Sequence, residues 1–136
     1  MTRRLERDTW RLLRTLVLDR GDGRREVCET LELSFVRVKA LRAIAAGPMA
    51  MRELVTALGT DPPYATVVVD DLEARGLVVR APNPDDRRAK TVTVTGAGRR
   101  AARRADSILG RPPESLRRLD DSELAELHRL LTVLAG

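Results

Sequence analysis

From about Arg4 to Arg20, apolar positions recur at three- and four-residue spacing, with Thr9, Leu12, Leu13, Leu16 and Val17 on one stripe. That spacing predicts an amphipathic helix, which Gly21-Asp22-Gly23 ends. A short helical stretch over about Arg24 to Leu31 follows. Ser34 suits the N-cap of a helix over Phe35 to Ala46, in which Val38, Leu41 and Ile44 supply the apolar repeat. Gly47-Pro48 stops it, and Met51 to Leu58 makes another short helix that carries Leu54, Val55 and Leu58 inward.

Gly59-Thr60 is a tight turn into the next helix. Asp61 caps it, Pro62 suits the first turn where a missing N–H costs nothing, and Gly76 breaks it after Ala74 or Arg75. Two helices joined by a short glycine-containing turn form a helix-turn-helix. Two β-runs follow, Leu77 to Pro82 and Lys90 to Thr95, the second alternating as Thr91/Val92/Thr93/Val94. Between them Asn83-Pro84-Asp85-Asp86-Arg87-Arg88 reads as a polar turn, with Arg87, Arg88 and Lys90 projecting from its tip. The order predicts a mainly α fold with a small β-hairpin wing, a winged helix-turn-helix. Thr95-Gly96 opens a further helix to about Leu109, and Pro112-Pro113 interrupts the chain. Asp120 with Glu123 resembles a capping box, and Leu124, Leu127, Leu131 and Leu134 stripe the last helix.

Composition narrows the picture. A chain of 136 residues supports one domain and buries roughly two-thirds of its unfolded surface without staples. Its aromatics are Trp10, Phe35 and Tyr64, so the core must be aliphatic. The single cysteine, Cys28, excludes an intramolecular disulfide and suits a reducing cytoplasm. No apolar run approaches the ~18 residues of a membrane span, and the charged stretch Met1 to Arg7 has no signal-type apolar segment behind it. A cytoplasmic protein with no membrane partner is expected.

Charge adds a direction. The chain carries a net charge of +5 at an isoelectric point near 10.5. Between Arg75 and Ala105 stand nine cations (Arg75, Arg80, Arg87, Arg88, Lys90, Arg99, Arg100, Arg103 and Arg104) against Asp85 and Asp86, so this segment is +7 and the remainder −2. A localised basic block suits a phosphate-binding surface, although a solvated arginine-rich face reads the same way.

At 100° per residue, Ala65, Val68, Val69 and Leu72 share the inner face of the second helix of the motif. The outer face carries Pro63, Val67, Asp70 and Ala74, flanked by Tyr64, Thr66 and Asp71. No bidentate base reader of the Arg, Asn or Gln type precedes Arg75. Base contacts would come from the Tyr64 and Thr66 hydroxyls and from Val67 against a thymine methyl. The free N–H groups of the helix N-terminus would bind a phosphate, while Asp70 and Asp71 would repel one.

Three segments in fixed order resemble the MarR family of bacterial transcription regulators: Val69-Asp70-Asp71-Leu72-Glu73-Ala74-Arg75-Gly76-Leu77-Val78, Asp86-Arg87-Arg88-Ala89 and Val94-Thr95-Gly96-Ala97-Gly98. The resemblance extends over nearly the whole chain. It implies one domain over 1–136, with a winged helix-turn-helix at 34–98 and dimerisation helices at 1–33 and 99–136. It further implies a homodimeric regulator on a pseudo-palindromic double-stranded operator, commonly weakened by a small ligand or an oxidant. Pro63 and Val67 depart from the family, where serine and arginine or lysine are frequent. The family's Asp-x-Arg pattern matches Asp86 and Arg88, which implies that the carboxylate orients the arginine for the minor groove, where arginine reads narrow A·T-rich DNA. An ordinary surface ion pair is the alternative there. A ligand, as in relatives, would lie between dimerisation helices and winged domain, near Trp10, Arg14, Phe35 and Lys39, and cations beside aromatics suit an aromatic or anionic effector.

Other chemistry is poorly supplied. Oxidant-sensing relatives hold a thiolate near the first helices with tyrosines, but Cys28 has Arg24, Arg25, Glu26 and Glu29 nearby and no tyrosine close in sequence. A packed, unreactive thiol is the expectation. His128 stands alone in the last helix, too little for a zinc site of the usual ligands or for nucleophile–base catalysis. No cofactor and no enzymatic activity are expected. The leading reading is a sequence-specific DNA-binding repressor. The alternative is a winged helix that binds DNA weakly or non-specifically and acts through protein contacts, since Asp61 to Arg75 contains four acids and one base.

Overall fold

The computed structural model describes residues 1–19, 23–83 and 85–136, without the side chains of Asp19 and Asp86 to Ala89. It divides into two compact units, residues 23–110 and residues 1–22 with 111–136.

In the unit of residues 23–110, α2 (Arg24–Leu31) leads to α3 (Phe35–Ala46), β1 (Met49–Ala50), α4 (Met51–Leu58) and α5 (Pro62–Ala74). The wing, β2 (Val78–Asn83) and β3 (Asp86–Val94), and α6 (Gly96–Leu109) complete it. The apolar repeats drive this assembly. Val38, Leu41 and Ile44 of α3, Leu54 of α4, and Val68, Val69 and Leu72 of α5 meet in one core with Val78 and Val92 of the wing. Each such side chain contributes about 1.5–3 kcal/mol on burial. Ala102 and Ala105 let α6 lie close against α2 and α3, and no polar or charged residue is buried among the described residues.

The sheet order is β1-β3-β2, both pairings antiparallel. Val78 faces Val94 and Pro82 faces Lys90, and the register shifts between Pro82 and Asn83 so that Asn83 faces Asp86. The expected six-residue turn is therefore narrower: Arg87 and Arg88 lie on the backbone of β3, and the Asn83 side chain accepts the Asp85 N–H at 2.9 Å. The two-residue β1, absent from the expectation, pairs Met49 with Val92 and Ala50 with Thr91. Gly76 takes the left-handed backbone (φ 74°) that stops α5. The α6 start is fixed by Thr95, whose Oγ accepts the Gly98 N–H at 3.0 Å and donates to the Gly76 carbonyl at 2.6 Å. Gly98 is buried against the Leu77 carbonyl and Val94, where a Cβ would collide with backbone. Ser34 occupies the N-cap of α3, but its hydroxyl accepts from Arg37 Nη1 at 2.9 Å rather than from the helix backbone.

In the other unit, α1 (Thr2–Arg14) runs into a π-helical turn at Thr15–Asp19, so the expected helix to Arg20 changes its winding. The predicted turn residues Gly21 and Asp22 lie outside the described residues. After a 3₁₀ turn at Glu114–Arg118 comes α7 (Asp121–Ala135), opened by the predicted capping box: Asp120 accepts the Glu123 N–H at 2.8 Å and Glu123 accepts the Asp120 N–H at 3.0 Å. Neither α1 nor α7 buries a residue fully.

Candidate nucleic-acid interface

The interface is built on α5. Its inner face, Ala65, Val68, Val69 and Leu72, is sealed in the core, which fixes the helix rotation and leaves the opposite face to solvent. Tyr64 is 41% exposed and Val67 52%, beside exposed Pro63 and Thr66. The Thr66 hydroxyl donates to the Pro62 carbonyl at 3.0 Å, so it offers a neighbour its lone pairs, while Val67 offers methyl groups. Met51, Arg52, Val55, Pro62 and Thr66 line an apolar cleft of about 250 Å³ between α4 and α5. The sequence reading passed over Arg52. Its signal was its place, one residue into the helix that precedes the turn.

The helix N-terminus is not the phosphate site that the sequence suggested. Pro62 and Pro63 have no N–H, the Tyr64 N–H donates to Asp61 Oδ1 at 2.8 Å, and the Ala65 N–H donates to the Asp61 carbonyl at 3.1 Å. All of the first-turn donors are spent or missing, and the capping carboxylate sits where an anion would come.

The acids of α5 are tied back. Arg80 on β2, only 17% exposed, donates from Nη1 to Glu73 Oε1 at 2.9 Å and from Nη2 to Asp70 Oδ1 at 2.5 Å. Asp71 Oδ2 accepts from Arg37 of α3 at 2.8 Å and from Arg75 at 3.0 Å, and Arg75 Nη1 also reaches the Glu32 carbonyl at 3.0 Å. Partial desolvation pushes the Asp71 carboxyl up, but the hydrogen bonds and charges of Arg75 and Arg37 outweigh it and hold it below its ordinary value. The repulsion expected of Asp70 and Asp71 is therefore offset by three arginines, one of them, Arg37, 34 residues away in sequence.

On the wing, Lys90 is exposed opposite Pro82. Asp86, Arg87 and Arg88 follow the β3 backbone, and the Asp86–Arg88 pairing falls outside the described side chains.

A MarR-family model matches residues 31–89, from the end of α2 through the helix-turn-helix into the wing. Wild-type MarR from E. coli in its apo form superposes with a TM-score of 0.78 at 26% identity, covering 93% of this chain and 95% of that one. Residues 31–89 of this chain thus carry a MarR-family match, and the chain as a whole is similar to MarR in fold. A cysteine-to-serine mutant of E. coli MarR complexed with operator DNA is similar at a TM-score of 0.63 and 25% identity, over 93% of this chain and 92% of that one. The S. aureus MepR–DNA complex, at 0.64 and 17% over 93% and 98%, shares the fold. No curated protein matches the sequence.

The residues expected to hold an effector divide between the two units. Trp10 and Arg14 line one cleft of about 390 Å³ together with Arg7, Arg11, Thr15 and Leu18. Phe35 is half-buried against the winged core, and the cation over its ring is Arg24, 4.4 Å from the centroid. Lys39 is exposed on α3. Cys28 is half-buried against the core, and His128 lies exposed on α7. No helix is long and apolar enough to cross a membrane, and no group of three metal-ligating side chains occurs, among the described residues.

Proposed function

We propose that this chain is a MarR-type, sequence-specific double-stranded DNA-binding transcription regulator, a homodimeric cytoplasmic repressor released by a small ligand. One observation carries the reading: α5 presents Tyr64, Thr66 and Val67 to solvent while the carboxylates of Asp70, Asp71 and Glu73 are held by Arg80, Arg37 and Arg75. A helix so neutralised can approach a phosphate-walled groove. Pro63, Tyr64, Thr66 and Val67 then face base edges, and Arg87, Arg88 and Lys90 of the wing supply phosphate and minor-groove contacts, with Asp86 orienting Arg88. The operator-DNA complex of E. coli MarR supports the same use of the fold.

Homodimerisation is supported by the apolar side chains left open on the other unit. Leu124, Leu131 and Leu134 of α7 are exposed, as are Leu5, Leu12 and Leu16, and Leu134 lines an apolar cleft with Leu5, Trp10 and Leu13. For the effector, an aromatic carboxylate or phenol suits Trp10 beside Arg14.

Binding by fluorescence anisotropy, over a salt series, to DNA upstream of the chain's own gene and to random DNA tests the proposal. Preference for the upstream DNA by about a thousandfold or more is expected of a specific regulator. Equal, steeply salt-dependent binding to both would favour the second reading, a weakly selective winged helix that works through protein contacts. That reading has its own observation: α5 carries no arginine, and Arg75, which follows its last residue, is already engaged by Asp71 and the Glu32 carbonyl.

A further inference from the structure

The basic block has a second half that the interface does not use. Arg99, Arg100, Arg103 and Arg104 lie on α6, all exposed, and among the described residues none has a carboxylate partner. Arg99 and Arg103 turn toward α3 and, with Arg42, line a cleft of about 310 Å³. Its other walls are Ala45, Ala46, Ala102 and Asp106, whose short alanines leave room between the helices. Asp106 Oδ1 holds Arg42 Nε at 2.6 Å, which fixes one edge of that guanidinium and leaves its Nη groups unbonded among the described residues.

Three cations against one acid leave the cleft with a net positive charge. Arg99 and Arg103, like Arg100 and Arg104, are like charges at i,i+4, which destabilise a helix. Arg99 also stands near the positive end of the α6 dipole. A bound anion relieves both. We propose that the α3–α6 cleft binds a compact phosphorylated metabolite through the guanidinium groups of Arg42, Arg99 and Arg103. The volume lies at the small end of ligand sites, and guanidinium forks match phosphoryl oxygens in pairs. The cleft opens on another side of α3 from α5. Arg37 and Arg42 are five residues apart on α3, about 140° around its axis, and Arg37 is the one that faces α5.

Isothermal titration of the full chain with inorganic pyrophosphate, at constant ionic strength in chloride, tests the site. Saturable binding is expected, weakened about tenfold or more by Arg99→Ala or Arg103→Ala, the loss of one charge-assisted fork. Arg103→Lys keeps the charge and the helix but loses the fork, and it too should bind more weakly than the native chain. Arg104→Ala removes the same charge from the same helix outside the cleft and should leave pyrophosphate binding within about twofold. Absence of saturable binding overturns the proposal, as does an equal loss in Arg104→Ala, which marks diffuse screening. A fall of about one in the salt slope of DNA binding on Arg103→Ala also overturns it, by assigning the cleft to the DNA backbone.

Discussion

Arg80 grips Glu73 twice, its Nη1 lying 2.9 Å from Oε1 and its own backbone N–H donating to Oε2 at 3.0 Å. A strand residue thus fixes the last turn of α5 by side chain and main chain together, and its other guanidinium edge takes Asp70. The wing and the helix are coupled through one arginine.

Replacing Arg80 with Ala should destabilise the winged unit by about 1–2 kcal/mol, the range for hydrogen bonds to charged groups discounted for partial exposure. It should also weaken DNA binding, because Asp70 and Glu73 regain their repulsion for phosphate. Urea denaturation reads the first effect and anisotropy the second. Adding Asp70→Asn should restore part of the binding and little of the stability. Unchanged binding in Arg80→Ala would show that neutralisation of α5 is irrelevant to DNA.

Asp71 predicts a pH dependence. Its folded pKa is depressed, mainly by hydrogen bonds and charges of Arg75 and Arg37 working against desolvation, so its contribution is present above the unfolded value. That contribution falls away as pH drops through and below the ordinary carboxylate range. The urea midpoint of Asp71→Asn should lie below that of the native chain at neutral pH, and the gap should close on acidification. A gap that widens toward acid pH reverses the sign and refutes the assignment.

Gly98→Ala should be among the most damaging small changes, by about 1–3 kcal/mol, because the added methyl meets the Leu77 backbone carbonyl. Gly96→Ala, two residues earlier, meets only a flexible Arg100 guanidinium at 3.6 Å and should be neutral or stabilising. Thermal melts of the pair separate close packing from simple helix propensity.

Removing residues beyond about Asp120 deletes α7 and its leucine stripe. The product should be monomeric or aggregated, since the apolar side chains of α1 lose their complement. Multi-angle light scattering checks this, and a well-behaved dimer from the truncated chain would refute the proposed role of α7.

Arg88→Ala should lower the salt slope of DNA binding by about one per half-site, with a larger affinity loss on A·T-rich than on G·C-rich flanks. Asp86→Ala should weaken specific binding and leave non-specific binding unchanged or tighter. Uniformly tighter binding to every sequence would show that Asp86 does not orient Arg88.

The helices at 35–46, 51–58, 62–74 and 96–109 were legible because their causes are local. Val38, Leu41 and Ile44 recur at helical spacing, Asp61 and Thr95 cap, and Gly76 stops, each within a few residues of what it controls. The Asp120–Glu123 box was readable for the same reason. What stayed hidden depends on residues distant along the chain. Two residues at Met49 and Ala50 have no strand pattern of their own, and they are β because Val92 and Thr91 lie beside them. The spent N-terminus of α5 was half visible in Pro62-Pro63, which lack N–H groups, but the Asp61 cap that takes the Tyr64 donor hid its consequence. The charge of α5 misled most. Counted along the sequence it is an acidic helix, yet Arg37 stands 34 residues before Asp71, and Arg80 stands on a different element from the acids it holds. Periodicity and capping are short-range and survive in one dimension. Electrostatic neutralisation acts through space, so only the tertiary structure decided which face of α5 could meet an anion.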